Sequence, residues 1–236
     1  MTPPDDLETV LARLHRAAAD EQHLGATASL RIAVFLGLDV LTIDLINGAG
    51  TLELVWCDPA EGPGPELDDL QFTLGDGPTL EAVQHGYTVT EPDLVTTDQA
   101  RWPLFLPAAM QSPARAVIAA PLRARGRTIG ALTGYRATSG AMTSSQARDF
   151  HRVRQGLLPL LLRSAQSSAT GDSGLRHYRE EVQQAAAFLA AGLAIPPEQA
   201  LARLRARAFC HDRSLTDTAR DALTRRLQLD DHNPYA

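Results

Sequence analysis

Two β-hairpin patterns constrain the fold of this chain more than any other feature of its sequence. Alternating segments over 40–47 and 51–58 flank a Gly-Ala-Gly turn, and apolar, β-branched segments over 114–125 and 126–137 meet at an Arg-Gly turn. Such pairs are typical of antiparallel strands joined by a tight connection. Residues 87–90 add one further short strand pattern. The sequence therefore predicts an antiparallel sheet.

Helical patterns surround the predicted strands and continue beyond them. A long apolar stripe over 144–168 is preceded by Thr143 and Gln146, whose spacing is that of a capping box. Residues 59–69 are rich in Pro, Gly and acidic residues and predict a loop. The predicted helices cover 5–24, 26–37, a short stretch within 74–83, 144–168, 175–194, 197–210 and 215–227, with a helical or irregular segment over 101–110.

The order of these elements predicts two domains of different class. Strands mixed with helices indicate an α+β domain, and helices alone then indicate a small all-α three-helix module. We expect an N-terminal helix over 1–24, the α+β domain over 25–168, a linker over 169–174, the three-helix module over 175–230 and a tail over 231–236.

Positive charge is concentrated near the end of the chain. All 22 cationic side chains are Arg, and the formal net charge of −6 argues against the whole chain coating a polyanion. Within 203–226, however, seven Arg stand against three Asp, a net charge of +4. We therefore expect any affinity for nucleic acid to lie in this region.

Common catalytic and metal-binding motifs are missing from the sequence. The chain has no Lys for a GxxxxGK[ST] phosphate loop and contains no GxSxG or HExxH motif. Cys57 and Cys210 are the only cysteines, and the His residues show no ligand spacing. We expect no enzymatic activity, no metal and no cofactor. Redox sensing or tetrapyrrole attachment at Cys57 is the alternative.

The sequence carries no signal for secretion or membrane insertion. Its N-terminus lacks the basic start and apolar stretch of a signal peptide. No apolar run approaches the roughly 18 residues of a spanning helix. We expect a cytoplasmic protein without membrane contact.

Several short motifs of the first domain resemble those of GAF domains. The segment LGDGPTLEAV at 74–83 is followed by Asp93-Leu94, by RWP with Phe105, by AVIAAPL at 116–122 and by IGAL at 129–132. The resemblance covers most of 25–165 and implies an antiparallel sheet flanked by helices, often with a small-ligand pocket and often dimeric through its terminal helices. A sulfoxide-reducing GAF enzyme would need several cysteines in this domain, which has only Cys57.

The lining of such a pocket is unknown from the sequence. An aromatic side chain in a compact domain more often belongs to the core than to a ligand site. The aromatic candidates are Trp56, Tyr87, Trp102, Phe105 and Tyr135.

Residues 183–223 are similar to the ANTAR module, a three-helix RNA-binding element of transcription antitermination regulators. The strongest part is EQALARLRARAF at 198–209, with Leu215 and Ala219 in register behind it. Both resemblances together indicate an actinobacterial GAF and ANTAR regulator, a homodimer whose modules bind hairpins in a nascent transcript and suppress termination. Ala186-Ala187 stand where many ANTAR modules have Lys-Gly or Thr-Gly, and this departure concerns RNA affinity, not the fold.

The Arg residues of this module are the predicted RNA contacts. A guanidinium binds phosphate bidentately and stacks on unpaired bases. Arg203 and Arg207 share one helical face, and Arg205 lies on the other side. The predicted RNA-binding residues are Arg203, Arg205, Arg207, Arg213 and Arg220.

Three alternatives to RNA binding remain open. The same Arg residues could simply solvate the helices and pair with Glu198, Asp212, Asp217 and Asp221. The module could instead dock a protein, with the GAF-like domain as a ligand-free signalling scaffold. Duplex DNA is the third target, although no recognition helix places Asn or Gln beside Arg.

The helix over 144–168 is too apolar to lie alone on a surface. It either packs on its own sheet or joins a dimer interface with the helix over 5–24, and the sequence leaves both arrangements open. Its large apolar residues are Phe150, Val153, Leu157, Leu158, Leu160, Leu161 and Leu162.

Overall fold

Both predicted hairpins are present and belong to one five-stranded antiparallel sheet. In the computed structural model, β1 (Val40–Ile46) pairs with β2 (Leu52–Asp58), and β4 (Ala116–Ala124) pairs with β5 (Arg127–Arg136). β1 also pairs with β5, and the short strand β3 (Val89–Glu91) pairs with β4, which gives the order β2-β1-β5-β4-β3. The antiparallel sheet predicted from the sequence is therefore confirmed.

The structure describes residues 6–20, 22, 24–27, 30–47, 50–60, 62–166, 174–211 and 213–224, and for residues 25, 26, 164–166, 174–180 and 209 it describes the backbone alone. The predicted tail, most of the predicted linker and residues 225–227 of the last predicted helix lie outside this part. The chain divides into two compact units, one of Met1–Asn47 with Leu52–Thr170 and one of Gly48–Thr51 with Gly171–Ala236.

Local hydrogen bonds begin several helices where the sequence predicts. The Asp6 carboxylate accepts from the Thr9 amide at 2.7 Å, and Thr143 and Gln146 form both bonds of the predicted capping box, at 3.2 and 2.9 Å. The described helices are α1 (Leu7–Ala19), α2 (Ile32–Phe35), α3 (Pro63–Leu74), α4 (Pro78–His85), α5 (Phe105–Ala109), α6 (Ser144–Gln166), α7 (Gly174–Leu193), α8 (Pro197–Cys210) and α9 (Leu215–Leu223), with a 3₁₀ turn at Leu24–Thr27.

The predicted loop over 59–69 is wrong, because α3 begins within it at Pro63. Proline is well tolerated in the first helical turn, where its missing N–H has no intrahelical partner. Leu67 and Phe72 are buried from this helix, and Gly75 ends it in the left-handed conformation, at φ 68°. Composition alone pointed to a loop, whereas tertiary burial of the apolar side stabilises a helix.

The predicted helix over 26–37 is also wrong in extent. The 3₁₀ turn and the four-residue helix α2 take its place. The carboxylate of Asp58, at the end of β2, accepts from the Ala33 amide at 2.7 Å and so satisfies the start of α2 from a distant part of the chain. This cap from another element explains why the helix begins late.

One face of the sheet packs against α1 and α6. Phe150, Val153, Leu157, Leu160 and Leu161 of α6 are all at most 3% exposed and share a core with α1 and the sheet. Of the two arrangements considered for this helix, packing on its own sheet therefore accounts for its buried apolar residues. The opposite face of the sheet carries a second core built with α3, α4 and α5, which includes Leu67, Ala82, Trp102, Phe105 and Tyr135.

Helices α7, α8 and α9 form the second unit, and their bounds lie close to those predicted. Each contributes buried apolar side chains, and α9 begins where the Ser214 hydroxyl accepts from the Asp217 amide at 3.0 Å. The buried set includes Val182, Ala185, Leu189, Leu201, Leu204, Ala208, Leu215, Ala219 and Ala222.

Among the described residues, no single helix combines the length and apolar character needed to cross a membrane. One pair of segments, Glu181–Leu193 with Pro197–Ala208, meets that criterion only jointly and is bent by 111° at its break.

Candidate functional site

The face of the sheet beneath α3 and α4 is polar at its centre. Thr42 of β1 lies opposite Thr133 of β5, and both side chains are at most 1% exposed. Asp44 follows two residues after Thr42 and is fully buried. Since alternate residues of a strand share a face, the central strands direct hydroxyl and carboxylate groups toward the helices that cover them.

A hydrogen-bond network joins this face to α3 and α4. The Gln71 amide nitrogen donates to the Thr79 hydroxyl and to the Tyr135 phenol oxygen, at 2.8 Å each. The Gln71 amide oxygen accepts from the Thr79 backbone N–H at 2.8 Å. The Thr79 and Thr133 hydroxyls lie 2.9 Å apart. We call Gln71, Thr79, Thr133 and Tyr135 the Gln71 network.

The Gln71 network satisfies its own polar groups. Its four side chains are at most 2% exposed, so each bond replaces one that water would otherwise supply. Burial, together with the negative charges of Asp68 and Asp44, raises the pKa of Tyr135 well above its ordinary value. The phenol is therefore neutral at physiological pH and available as a donor and acceptor.

Cys57 lies at the same side of the sheet, below α3. Its Sγ is 3.0 Å from the Pro59 carbonyl oxygen, to which the thiol donates. Burial raises the pKa of this thiol to about 12, and the charges of Asp58, Asp68 and Asp44 act in the same direction. Because the thiolate is the reactive form of cysteine, Cys57 is a poor nucleophile at neutral pH.

The GAF-like motif at 74–83 and the RWP motif hold the covering helices together. The Asp76 carboxylate accepts from the Leu104 and Phe105 amides, at 2.9 and 3.1 Å, and thereby caps α5. The Glu81 carboxylate accepts from Arg101 at 3.0 and 3.1 Å and from the Trp102 indole at 2.7 Å. These motif residues have structural partners, a role that their spacing in the sequence could not show.

The aromatic pocket candidates divide between core and surface. Trp102, Phe105 and Tyr135 are at most 2% exposed and belong to the second core. This agrees with the expectation that an aromatic side chain in a compact domain more often belongs to the core than to a ligand site. Trp56 is half-buried, and Tyr87 is 48% exposed, with its hydroxyl donating to Glu81 at 2.8 Å. Of the five, only Tyr135 belongs to the Gln71 network, where its phenol oxygen accepts from Gln71.

In the second unit, two of the predicted RNA-binding Arg residues of α8 are accessible to solvent. Leu201, Leu204 and Ala208 are buried, whereas Arg203 is exposed and Arg207 is half-buried. The two Arg residues are one helical turn apart on the same face. Within the described part of the chain, no carboxylate lies within salt-bridge distance of either guanidinium.

The other three predicted contacts are engaged within the unit. Arg213 pairs with Asp221 at 2.6 Å, and Arg220 lies 3.0 Å from Glu181 and 3.4 Å from Asp217. Arg205 is half-buried and also makes an interaction of its own. The structure thus brings Arg203 and Arg207 together on one face and ties Arg213 and Arg220 to carboxylates.

An exposed aromatic residue that the sequence analysis did not single out lies on α7. Phe188 is 42% exposed, although Val182, Ala185 and Leu189 of the same helix are buried. No sequence signal marked this residue, because its exposure depends on how α7 packs against α8 and α9. Among the described residues, no group of His, Cys, Asp or Glu is arranged to hold a metal ion.

The order of the five strands and the helical layers on both faces of the sheet match a GAF-like fold. A free methionine-R-sulfoxide reductase from Neisseria meningitidis, solved with its substrate, matches with a TM-score of 0.50 and 20% identity over 68% of this chain and 91% of its own. The GAF domain of an Acinetobacter phosphoenolpyruvate-protein phosphotransferase matches with a TM-score of 0.50 and 12% identity over 68% and 96%.

These likenesses establish the fold of the first unit. No protein-family model matches the chain, and no curated protein does. The enzyme among the structural neighbours shows that this fold can carry catalysis in another protein, so the absence of enzymatic activity here stays a prediction.

Proposed function

We propose that the protein is a transcription antitermination regulator whose second unit binds RNA hairpins. The observation that carries this proposal is the outward pair Arg203 and Arg207 on α8, whose guanidinium groups have no carboxylate partner among the described residues. Guanidinium groups one helical turn apart match the close spacing of phosphates in a folded RNA. The similarity of 183–223 to the ANTAR module supplies the class of target.

Phe188 supports RNA over duplex DNA as the target. Sequence-specific RNA recognition uses unpaired bases that stack on aromatic side chains. An aromatic ring that is 42% exposed on α7 provides such a surface in a unit that also exposes Arg203. A duplex would offer its phosphates to the Arg residues but no unstacked base to Phe188.

Arg213 and Arg220 can also contact RNA, but only after their present carboxylate partners are displaced. Their ion pairs are solvent-exposed, with Arg side chains 41% and 58% exposed. Exposed pairs of this kind contribute only about 0–1 kcal/mol to stability, so an RNA phosphate can replace the carboxylate at small cost. The two residues therefore join the interface only if RNA displaces Asp221, Glu181 or Asp217.

For the first unit we propose a sensing role without catalysis. The thiol of Cys57 is protonated at neutral pH because burial raises its pKa to about 12, and the thiolate that thiol chemistry needs as its nucleophile is therefore scarce.

We further propose that the protein acts in the cytoplasm as a homodimer, so that two RNA-binding units engage two successive hairpins. Native mass spectrometry of the full chain measures the subunit number, and a monomer at micromolar concentration would contradict the dimer.

Gel-shift titration of the full chain tests the RNA proposal. The probes are an RNA with two tandem hairpins, a scrambled RNA of equal composition and a DNA duplex of equal length. We expect the tandem hairpins to bind most tightly. Equal affinity for all three probes would contradict hairpin recognition, and tighter binding to duplex DNA would indicate a DNA-binding protein. No shift with any probe would leave protein docking as the function of the second unit.

The salt dependence of RNA binding in the same titration measures how many phosphates the Arg side chains neutralise. The logarithm of affinity falls against the logarithm of salt with a slope of about −0.7 for each phosphate neutralised on a single strand. Arg203 and Arg207 alone would give about −1.4, and all five predicted residues about −3.5. A slope near zero would mean that the guanidinium groups make no phosphate contact.

A further inference from the structure

An apolar cleft of about 280 Å³ opens on the α6 side of the sheet, on the face opposite the Gln71 network. Ile118 of β4 and Gly134 of β5 are paired in register and form its floor. Leu38, Met142 and Ala147 form its walls. We call this space the Met142 cleft.

Glycine at position 134 is needed for the depth of the Met142 cleft. A Cβ atom at this position would lie 2.4 Å from a Leu38 methyl and 3.4 Å from an Ile118 methyl. Any larger residue would therefore force the Leu38 side chain, a wall of the cleft, to move. The sheet leaves this space beside the first turn of α6.

One cation lies at the rim of the cleft and is held in place by neutral groups. Arg136 donates from Nε to the Thr138 carbonyl at 3.1 Å and from Nη2 to the Gly140 carbonyl. No carboxylate of the described residues lies within salt-bridge distance of this guanidinium. Glu91, the acidic residue of the lining, instead pairs with Arg101 at 2.9 Å. A positive charge at the mouth is therefore left uncompensated in the described part of the chain.

We propose that the Met142 cleft binds a small amphiphilic anion, an unbranched carboxylate whose carboxyl group meets Arg136 and whose alkyl chain lies on Ile118 and Gly134. At about 30 Å³ per non-hydrogen atom, the volume of a water in the liquid, the cleft of about 280 Å³ holds about nine such atoms. The alkyl chain of an eight-carbon carboxylate fits within this space, with its carboxyl group at the mouth. Burial of methylene groups drives the binding, and the guanidinium selects the charged end. The proposal is independent of RNA binding.

Isothermal titration of the full chain with sodium octanoate and with octan-1-ol tests this assignment. We expect octanoate to bind more tightly than the alcohol. Replacing Arg136 by Gln should weaken octanoate at least tenfold, the equivalent of losing one charge-assisted hydrogen bond, and should change octanol affinity less than twofold. R136K should retain most of the octanoate affinity. R123Q, at an exposed position of β4 outside the lining, is the matched control and should bind as the wild type does.

A second variant tests the cavity itself. Ala147→Phe places a ring in the cleft and should weaken both probes at least tenfold without touching Arg136. Amide NMR spectra should show octanoate-dependent shifts at Gly134 and Gly140. The proposal is wrong if octanoate affinity is equal in wild type, R136Q and A147F, if octanol binds as tightly as octanoate, or if no binding tighter than about 1 mM is found. R136K and A147F decide the matter even where R136Q fails to fold.

Discussion

The indole N–H of Trp102 donates to the Glu81 carboxylate at 2.7 Å across 21 positions of sequence. Arg101 binds the same carboxylate, and its guanidinium carbon lies 4.5 Å above the centre of the indole ring. Two motifs that resemble those of GAF domains thus meet in one contact. The contact fastens α4 to the segment that leads into α5, above the Gln71 network.

Glu81→Ala should destabilise the first unit by about 2–3 kcal/mol, because it leaves the Trp102 donor and the Arg101 charge without their main acceptor. Burial alone would raise the pKa of Glu81, but hydrogen bonds from Arg101, Tyr87 and Trp102 outweigh burial and lower the pKa below 4.5. The carboxylate therefore stabilises the fold above pH 4.5, and this contribution is lost as the pH falls through the lowered pKa. Urea unfolding at pH 7 and at a series of pH values below 4.5 measures both effects. Glu66→Ala, at an exposed site of α3, should change stability by less than about 0.5 kcal/mol, and an equal loss in both variants would contradict the role of Glu81.

Tyr135→Phe should cost about 1–2 kcal/mol, since Gln71 loses a buried acceptor. The raised pKa of Tyr135 means that its neutral form stabilises the fold below about pH 10 and that this contribution declines at higher pH, where only the unfolded chain ionises. The phenylalanine variant should therefore lose less stability than the wild type between pH 9 and 11. Urea unfolding across this range provides the measurement. Identical pH profiles would show that Tyr135 titrates normally.

Cys57 and Cys210 should react at very different rates. Cys210 is exposed, whereas burial holds the pKa of Cys57 at about 12. At pH 8, titration with a disulfide reagent should detect one fast thiol, and the second should appear only in denaturant. C210S should abolish the fast phase, and C57S should leave it unchanged. Fast reaction in C210S would show that Cys57 is reactive in the folded protein and would contradict a first unit without thiol chemistry.

Replacing both Arg203 and Arg207 by Ala should weaken binding of the tandem-hairpin RNA at least tenfold and reduce the magnitude of the salt slope by about 1.4. The melting temperature should stay within about 2 °C of the wild type, because neither side chain is fully buried. Arg148→Ala, at an exposed position of α6, is the control. Unchanged affinity in the double variant would eliminate this face as the RNA site. Arg205 makes a poorer probe, since it is half-buried and its loss would disturb packing as well.

Asp221→Asn should strengthen RNA binding about twofold. The substitution releases Arg213 from a pair of 2.6 Å, and an exposed pair contributes about 0.5 kcal/mol, a factor of about two in affinity. Gel-shift titration at low salt measures the change. Glu66→Gln removes the same charge from the first unit and should have no effect. A loss of affinity in Asp221→Asn would show that the ion pair positions Arg213 for RNA instead of competing with it.

The sequence by itself determined the elements that rest on local chemistry. The two hairpins, the Thr143 and Gln146 capping box, the Ser214 cap and the positions of α7, α8 and α9 follow from alternation, turn residues and helix caps, all of which act within a few residues. The shared face of Arg203 and Arg207 follows in the same way from the helical repeat. The similarity of the first domain to GAF domains was also readable, because its motifs lie in continuous segments.

The tertiary structure alone decided which groups meet across distance. Asp58 caps α2, Gln71 reaches Tyr135 across 64 positions, and Glu181 lies beside Arg220, although nothing in the spacing of these residues predicts their contact. Helix α3 forms where composition predicted a loop, because burial of its apolar side outweighs the cost of its prolines and glycine. Long-range pairing and burial depend on how the elements pack, and that packing is a property of the whole chain.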